Sequence, residues 1–231
     1  MARRIFLVGL IAGLIAGTFA TLVQWAKVTP LILVAETYEA KAAPHDHDHG
    51  AAAPAPEAAW EPAEGLQRTL FTWLANILVA TGFGLVLSAA FALRHAFAGE
   101  AIDARRGLCW GLAGFAAFAL APALGLPPEL PGTMAAELAA RQAWWIGTAL
   151  ATAAGIALLI FPRHASAKAM GVLLLVLPHA IGAPAASHEG GAVPAELAAQ
   201  FVAASLVGAA LFWAVLGGVG GWLFARLGRA A

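Results

Sequence analysis

Charge is the scarcest thing in this chain. Only 11% of its 231 residues are Asp, Glu, Lys or Arg, against roughly 25% in a soluble domain. The formal net charge is zero, so nothing draws the chain to nucleic acid. One cysteine, Cys109, excludes an internal disulfide. Strand-like alternation is absent, which argues against a membrane β-barrel. There is no G-x-x-x-x-G-K-[ST] loop, so the chain cannot itself drive a process with ATP. There is also no H-E-x-x-H and no nucleophile elbow, and nothing beyond metal ligands points to an enzyme.

What fills the space is apolar: 61% of residues are hydrophobic and the mean hydropathy is +0.79. The 25 glycines and 13 prolines are of the kind that membrane helices tolerate. The expected fold is an all-α polytopic membrane protein forming one domain. Six runs at about 5–25, 70–93, 107–124, 143–161, 169–186 and 201–224 pair as three up-down hairpins. The fifth run is the shortest apolar stretch, with Pro178 and His179 near its end, and it can also be read as a re-entrant piece. The first run admits a second reading as a cleaved signal peptide with Ala20 at the cleavage site. Its length exceeds a signal core of about 7–15 residues and favours a retained span. Within it Gly9, Gly13 and Gly17 recur every fourth residue, a stripe that lets another helix approach closely.

Loop charges orient the bundle. With the amino terminus cytoplasmic and six crossings, Arg3, Arg4, Arg94, Arg105, Arg106, Arg163, Lys168, Arg226 and Arg229 fall inside. Both termini are then cytoplasmic, and every inner loop is basic, as the positive-inside rule requires. The outer face collects eleven of the 13 acidic residues and only four basic ones, a field suited to concentrating cations. Trp25, Trp73, Trp144 and Trp145 fall at outer ends of spans, Trp110 and Trp222 at inner ends, as in an aromatic belt. A weak repeat, Met134–Gln142 (MAAELAARQ) and Val193–Phe201 (VPAELAAQF), aligns Glu137 with Glu196.

The strongest chemical signal lies in an expected flexible outer loop, 40–67. His45, His47 and His49 alternate with Asp46 and Asp48. On an extended chain the three imidazoles point one way and can converge on a single cation. Neutral imidazole suits Co, Ni, Cu and Zn, so the tract does not name its metal. The plainer reading is an acidic spacer that binds metal adventitiously. His179 is the candidate nearer the membrane. Pro178 lacks an N–H, so the Leu174 carbonyl loses its usual partner, and a free carbonyl beside an imidazole can line an ion path. A helix-end histidine at headgroup level is the alternative. His188 and Glu189 can join an outer site, and Glu36, Glu39, Glu137 and Glu196 are candidates for an outer vestibule. No confident span holds a charged residue at mid-depth, where proton-coupled carriers usually place one. Gln24, Thr72, Asn76 and Thr152 read as helix–helix hydrogen bonding.

Several stretches together resemble a known family. Trp25–Glu39 (WAKVTPLILVAETYE), the following His-Asp-His-Asp-His tract, Leu126–Gly132 (LPPELPG) and Pro178–Pro184 (PHAIGAP) are similar to the proposed cobalt transporter subunit family, CbtA. The similarity runs in order over essentially the whole chain. It implies a bacterial inner-membrane protein serving cobalt uptake for cobalamin synthesis, with Co²⁺ as cargo and no organic cofactor. It also implies a small single-span, histidine-containing partner, CbtB. Two functions are therefore expected as alternatives. One is a metal-uptake subunit whose outer histidine loop captures the ion. The other is a non-transporting metal-binding receptor or assembly partner of another permease, for Ni, Zn or Cu.

Overall fold

A computed structural model describes residues 1–42, 62–186 and 193–229. Among them the secondary structure is helical throughout, with no strand. The first run does not stop at Trp25. Helix α1 (Ala2–Val23) passes through a π-helical turn (Gln24–Val28) into α2 (Thr29–Ala42). Pro30 explains the turn. Its ring has no N–H and crowds the carbonyl of residue 26. The chain widens, and Thr29 N–H bonds Gln24 O five residues back. The continuous apolar helix, Ala2–Lys41, is 40 residues long, about 60 Å at 1.5 Å per residue. A hydrocarbon core is about 30 Å thick, so α2 stands clear of it.

The remaining elements are α3 (Leu66–Ala98), α4 (Ala104–Phe115), a second π turn (Ala116–Leu120), α5 (Ala121–Ala123), α6 (Leu138–Ile160), α7 (Ala165–Ile181) and α8 (Ala195–Arg229). The second π turn also precedes a proline, Pro122, and again a five-residue bond closes it, from Ala121 N–H to Ala116 O. Five helices are long and apolar enough to cross a membrane. The sixth, α7, has 17 residues, the short end of what a span requires. It stops at Gly182, whose φ of +89° suits a residue without Cβ, so the fifth run closes earlier than 186.

Close glycine contacts set the direction of each helix. The Gly9, Gly13 and Gly17 stripe faces Leu85, Thr81 and Ile77 of α3, in descending order, so α1 and α3 are antiparallel. A Cβ on Gly13 would lie 2.5 Å from the Thr81 Cα. Gly107, Gly111 and Gly114 of α4 meet Gly221, Gly217 and Trp213 of α8 in the same descending sense. Gly155 of α6 meets Gly171 of α7. Trp110 pairs with Phe161 and Phe118 with Trp145, so α6 runs against α4. The six apolar helices therefore alternate in direction. The Arg4 guanidinium donates to Phe224 O and lies 3.5 Å over its ring, which places both chain termini at one end.

Packing does not follow the sequence hairpins throughout. Helix α8 lies against α1, α3 and α4, while α7 packs on α6. The core of α1, α3 and α8 holds Val8, Ala12, Leu87, Phe91, Leu216 and Phe224, with Trp213 wedged among Phe83, Phe118 and Phe212. A smaller cluster at the opposite end joins Val28 of the π turn and Ala35 of α2 to Leu130 and Phe201. That cluster seats α2 on the 126–132 loop and on the start of α8.

Candidate functional site

The end of the bundle away from the termini carries the described acidic candidates. Glu36 is not free: Arg68 grips it with two hydrogen bonds, Nη2–Oε1 at 2.6 Å and Nη1–Oε2 at 3.3 Å. Glu39, one turn on, is exposed and lies beside Gly132 of the 126–132 loop. A Cβ on Gly132 would sit 3.4 Å from the Glu39 Cβ. Glu137 caps α6, accepting from Ala139 N–H at 2.9 Å and Ala140 N–H at 2.8 Å. Those two backbone bonds hold its carboxyl below the ordinary glutamate range. Glu196 is exposed in the first turn of α8. The two repeat-related glutamates thus differ in role, one a cap and the other a first-turn side chain.

Between α5, α6 and α8 this end opens into a cavity of about 800 Å³. Its wall includes Pro128, Glu129, Arg141, Gln142, Trp145 and Ser205. Glu129 and Arg141 are paired at 2.6 Å, each about two-thirds buried. Prolines 127 and 128 stiffen the loop that carries Glu129, and α6 carries Arg141 in its first turn. The cavity reaches inward to Phe118 and Ala209. Its loop wall is the same 126–132 segment that α2 packs against, so α2 and the cavity mouth share one wall.

His179 sits in the last turn of α7, half-buried, with its ring edge-on to Trp144 at 6.0 Å. The Trp144 indole N–H donates to Pro178 O at 3.3 Å, and Gly182 N–H bonds the same oxygen at 3.1 Å. His179 does not line the large cavity. His45, Asp46, His47, Asp48 and His49 lie outside the described residues, as do His188 and Glu189. Among the described residues no three His, Cys, Asp or Glu side chains converge as a metal site.

The polar groups inside the membrane divide into two kinds. Asn76 donates to Thr21 at 3.0 Å and to Gln24 at 2.8 Å, and Thr72 bonds the Arg68 carbonyl, as helix–helix and intrahelical glue. Thr152 departs from that expectation. It and Thr148 are buried with hydroxyls that have no partner. The Glu129–Arg141 pair and Thr148 were not singled out by sequence reasoning. A carboxylate and a guanidinium twelve residues apart across prolines carry no periodic signal, and a threonine within an apolar run looks like any other.

Comparison with known families supplies the context. The profile of the family described as probable cobalt transporter subunit (CbtA) matches residues 2–225, nearly the whole chain. Comparisons with curated proteins and with solved structures found no match. With five helices long enough to cross a bilayer and a profile that matches nearly the whole chain, this chain is a multi-pass membrane protein and belongs to the CbtA family of probable cobalt transporter subunits.

Proposed function

We propose that this subunit takes up a divalent metal, Co²⁺ by its family, across a bacterial inner membrane, with its acidic end outward. The reading is carried by one juxtaposition. The helix that leads into the histidine tract, α2, is seated on the loop that walls the 800 Å³ cavity. His45 is three residues past the last residue of α2, a reach of about 10 Å for an extended chain. In this reading His45, His47 and His49, with Asp46 and Asp48, capture the ion in exchange with solvent. Glu39, Glu137, Glu189 and Glu196 keep the outer surface negative. His179, in the last turn of α7, and His188 serve as secondary ligands. The metal is cargo, and no organic cofactor is involved.

Cobalt supply for cobalamin synthesis and a small single-span histidine-bearing partner of the CbtB type belong to the same proposal. The word subunit in the family description supports a partner.

A second reading is favoured by one observation. The buried polar side chains among the described residues are Thr21, Ser88, Thr148 and Thr152, none of them charged. A non-transporting metal-binding receptor or assembly partner of another permease needs no more than that. Reconstitution separates the two. The purified chain with its single-span partner in liposomes is expected to accumulate cobalt. Accumulation that appears only when a further permease is added would establish the receptor role instead.

A further inference from the structure

The two threonines of α6 lie in a seam that the uptake reading leaves unused. Trp144, Thr148, Thr152 and Gly155 recur at helical spacing and form one stripe of α6. Both ends of the stripe touch α7: Trp144 bonds Pro178 O, and Gly155 meets Gly171 O and Leu175. The two threonines between them therefore face the α7 stretch from 171 to 178. Thr148 is fully buried and Thr152 is 3% exposed, near the middle of the 23-residue α6. Neither hydroxyl has a hydrogen-bond partner. At the Trp144 end Pro178 stands inside α7 and, lacking an N–H, cannot donate the usual bond to the Leu174 carbonyl.

Unpaired oxygens at this depth are costly, since lipid offers no water to replace a partner. Here the hydroxyl pair has no partner, and the adjacent antiparallel helix offers, at Leu174, a carbonyl to which Pro178 cannot donate. Neutral oxygens of this kind coordinate coupling ions in carriers with interrupted helices. No Asp, Glu, Lys or Arg lies in residues 142–162 or 169–178. With no charge to offset desolvation, the site suits a single positive charge, because the Born cost rises with the square of the charge. It also lacks the nitrogen and sulfur ligands that transition metals prefer.

We propose that Thr148, Thr152 and the Leu174 carbonyl bind a desolvated monovalent alkali cation in the α6–α7 seam. Such a site would couple uptake to an ion gradient, in a chain with no ATP-binding loop. Its role rests on the uptake reading, but its detection does not.

The test is thermal unfolding of the purified full-length chain in detergent, at equal ionic strength, in sodium, potassium or choline chloride. Sodium or potassium is expected to raise the midpoint by about 5 °C over choline. The isosteric Thr148→Val/Thr152→Val variant is expected to lose that shift, and Thr148→Ser/Thr152→Ser to keep it. Equal midpoints of the wild-type chain in all three salts would overturn the proposal, as would a shift that survives in the valine variant. A cation shift without cobalt accumulation in liposomes would remove the uptake reading and leave the site standing.

Discussion

Arg68, at the start of α3, reaches Glu36 of α2 with both terminal nitrogens, at 2.6 and 3.3 Å. The pair ties together the two helices that flank the histidine tract. It also occupies a carboxylate that would otherwise be available to a metal. Both side chains are about one-third exposed, so the pair contributes about 0.5–1 kcal/mol. Glu36→Gln is expected to lower the unfolding midpoint by about 2–4 °C and to leave metal affinity by calorimetry unchanged. The reversed pair Glu36→Arg/Arg68→Glu should recover most of the midpoint. A tenfold loss of metal affinity in Glu36→Gln would return this carboxylate to the ligand set.

Glycine marks where helices touch and where they do not. A side chain at Gly13 would collide with the Thr81 backbone, whereas one at Gly82 of α3 would meet nothing within 4 Å. Gly13→Leu must therefore separate α1 from α3, and it is expected to abolish a folded, monodisperse preparation. Gly82→Ala relieves helix entropy of about 0.5–1 kcal/mol and should leave the midpoint unchanged or raise it. Size-exclusion profiles and melting of the two variants check this ordering.

Glu137 gives a pH test. The Ala139 and Ala140 N–H groups bond its ionised form and lower its folded pKa. A depressed carboxylate contributes stability that is present above its unfolded pKa, near 4.3. That stability is lost as the pH falls through the lower folded value. Glu137→Gln should thus melt earlier than wild type at pH 7, and the gap should narrow as the pH drops below about 4. A gap that stayed constant across this range would mean that the cap does not depend on charge.

The Glu129–Arg141 pair in the cavity wall predicts opposite effects for its two halves. Glu129→Gln leaves a lone cation facing the cavity and should raise the apparent KM for cobalt about fivefold, as roughly 1 kcal/mol of repulsion implies. Arg141→Gln leaves a lone carboxylate and should lower it. Equal impairment by both variants would mean that the pair supports the wall and does not steer ions.

Much of this architecture could be read from residue patterns, because membrane helices announce themselves by length and hydropathy. The glycine stripe in the first run met its partner helix as expected. Gln24, just past the end of α1, and Asn76 of α3 found each other. Of the basic residues assigned to the inner face, Arg4 lies over Phe224 and Arg94 over Phe161. Three features were not legible. A single proline did not end the first helix, since a π turn before Pro30 absorbed it and carried the helix on to Ala42. The cavity depends on how the 126–132 loop folds back over α6, a tertiary fact with no local spacing to betray it. Packing partners were hidden too: α7 and α8 are neighbours in sequence, yet α8 lies on α1 and α4.

The claim on which the account turns is that the acidic end of this bundle gathers metal and the subunit passes it inward. Accumulation of radioactive cobalt tests it directly, in cells with no other cobalt uptake that express this chain with its single-span partner. Wild type should accumulate cobalt well above empty cells. His45→Ala/His47→Ala/His49→Ala should fall several-fold short at limiting cobalt and match wild type at high cobalt. Wild-type cells that hold no more cobalt than empty ones, with the protein present in the membrane, would contradict the account.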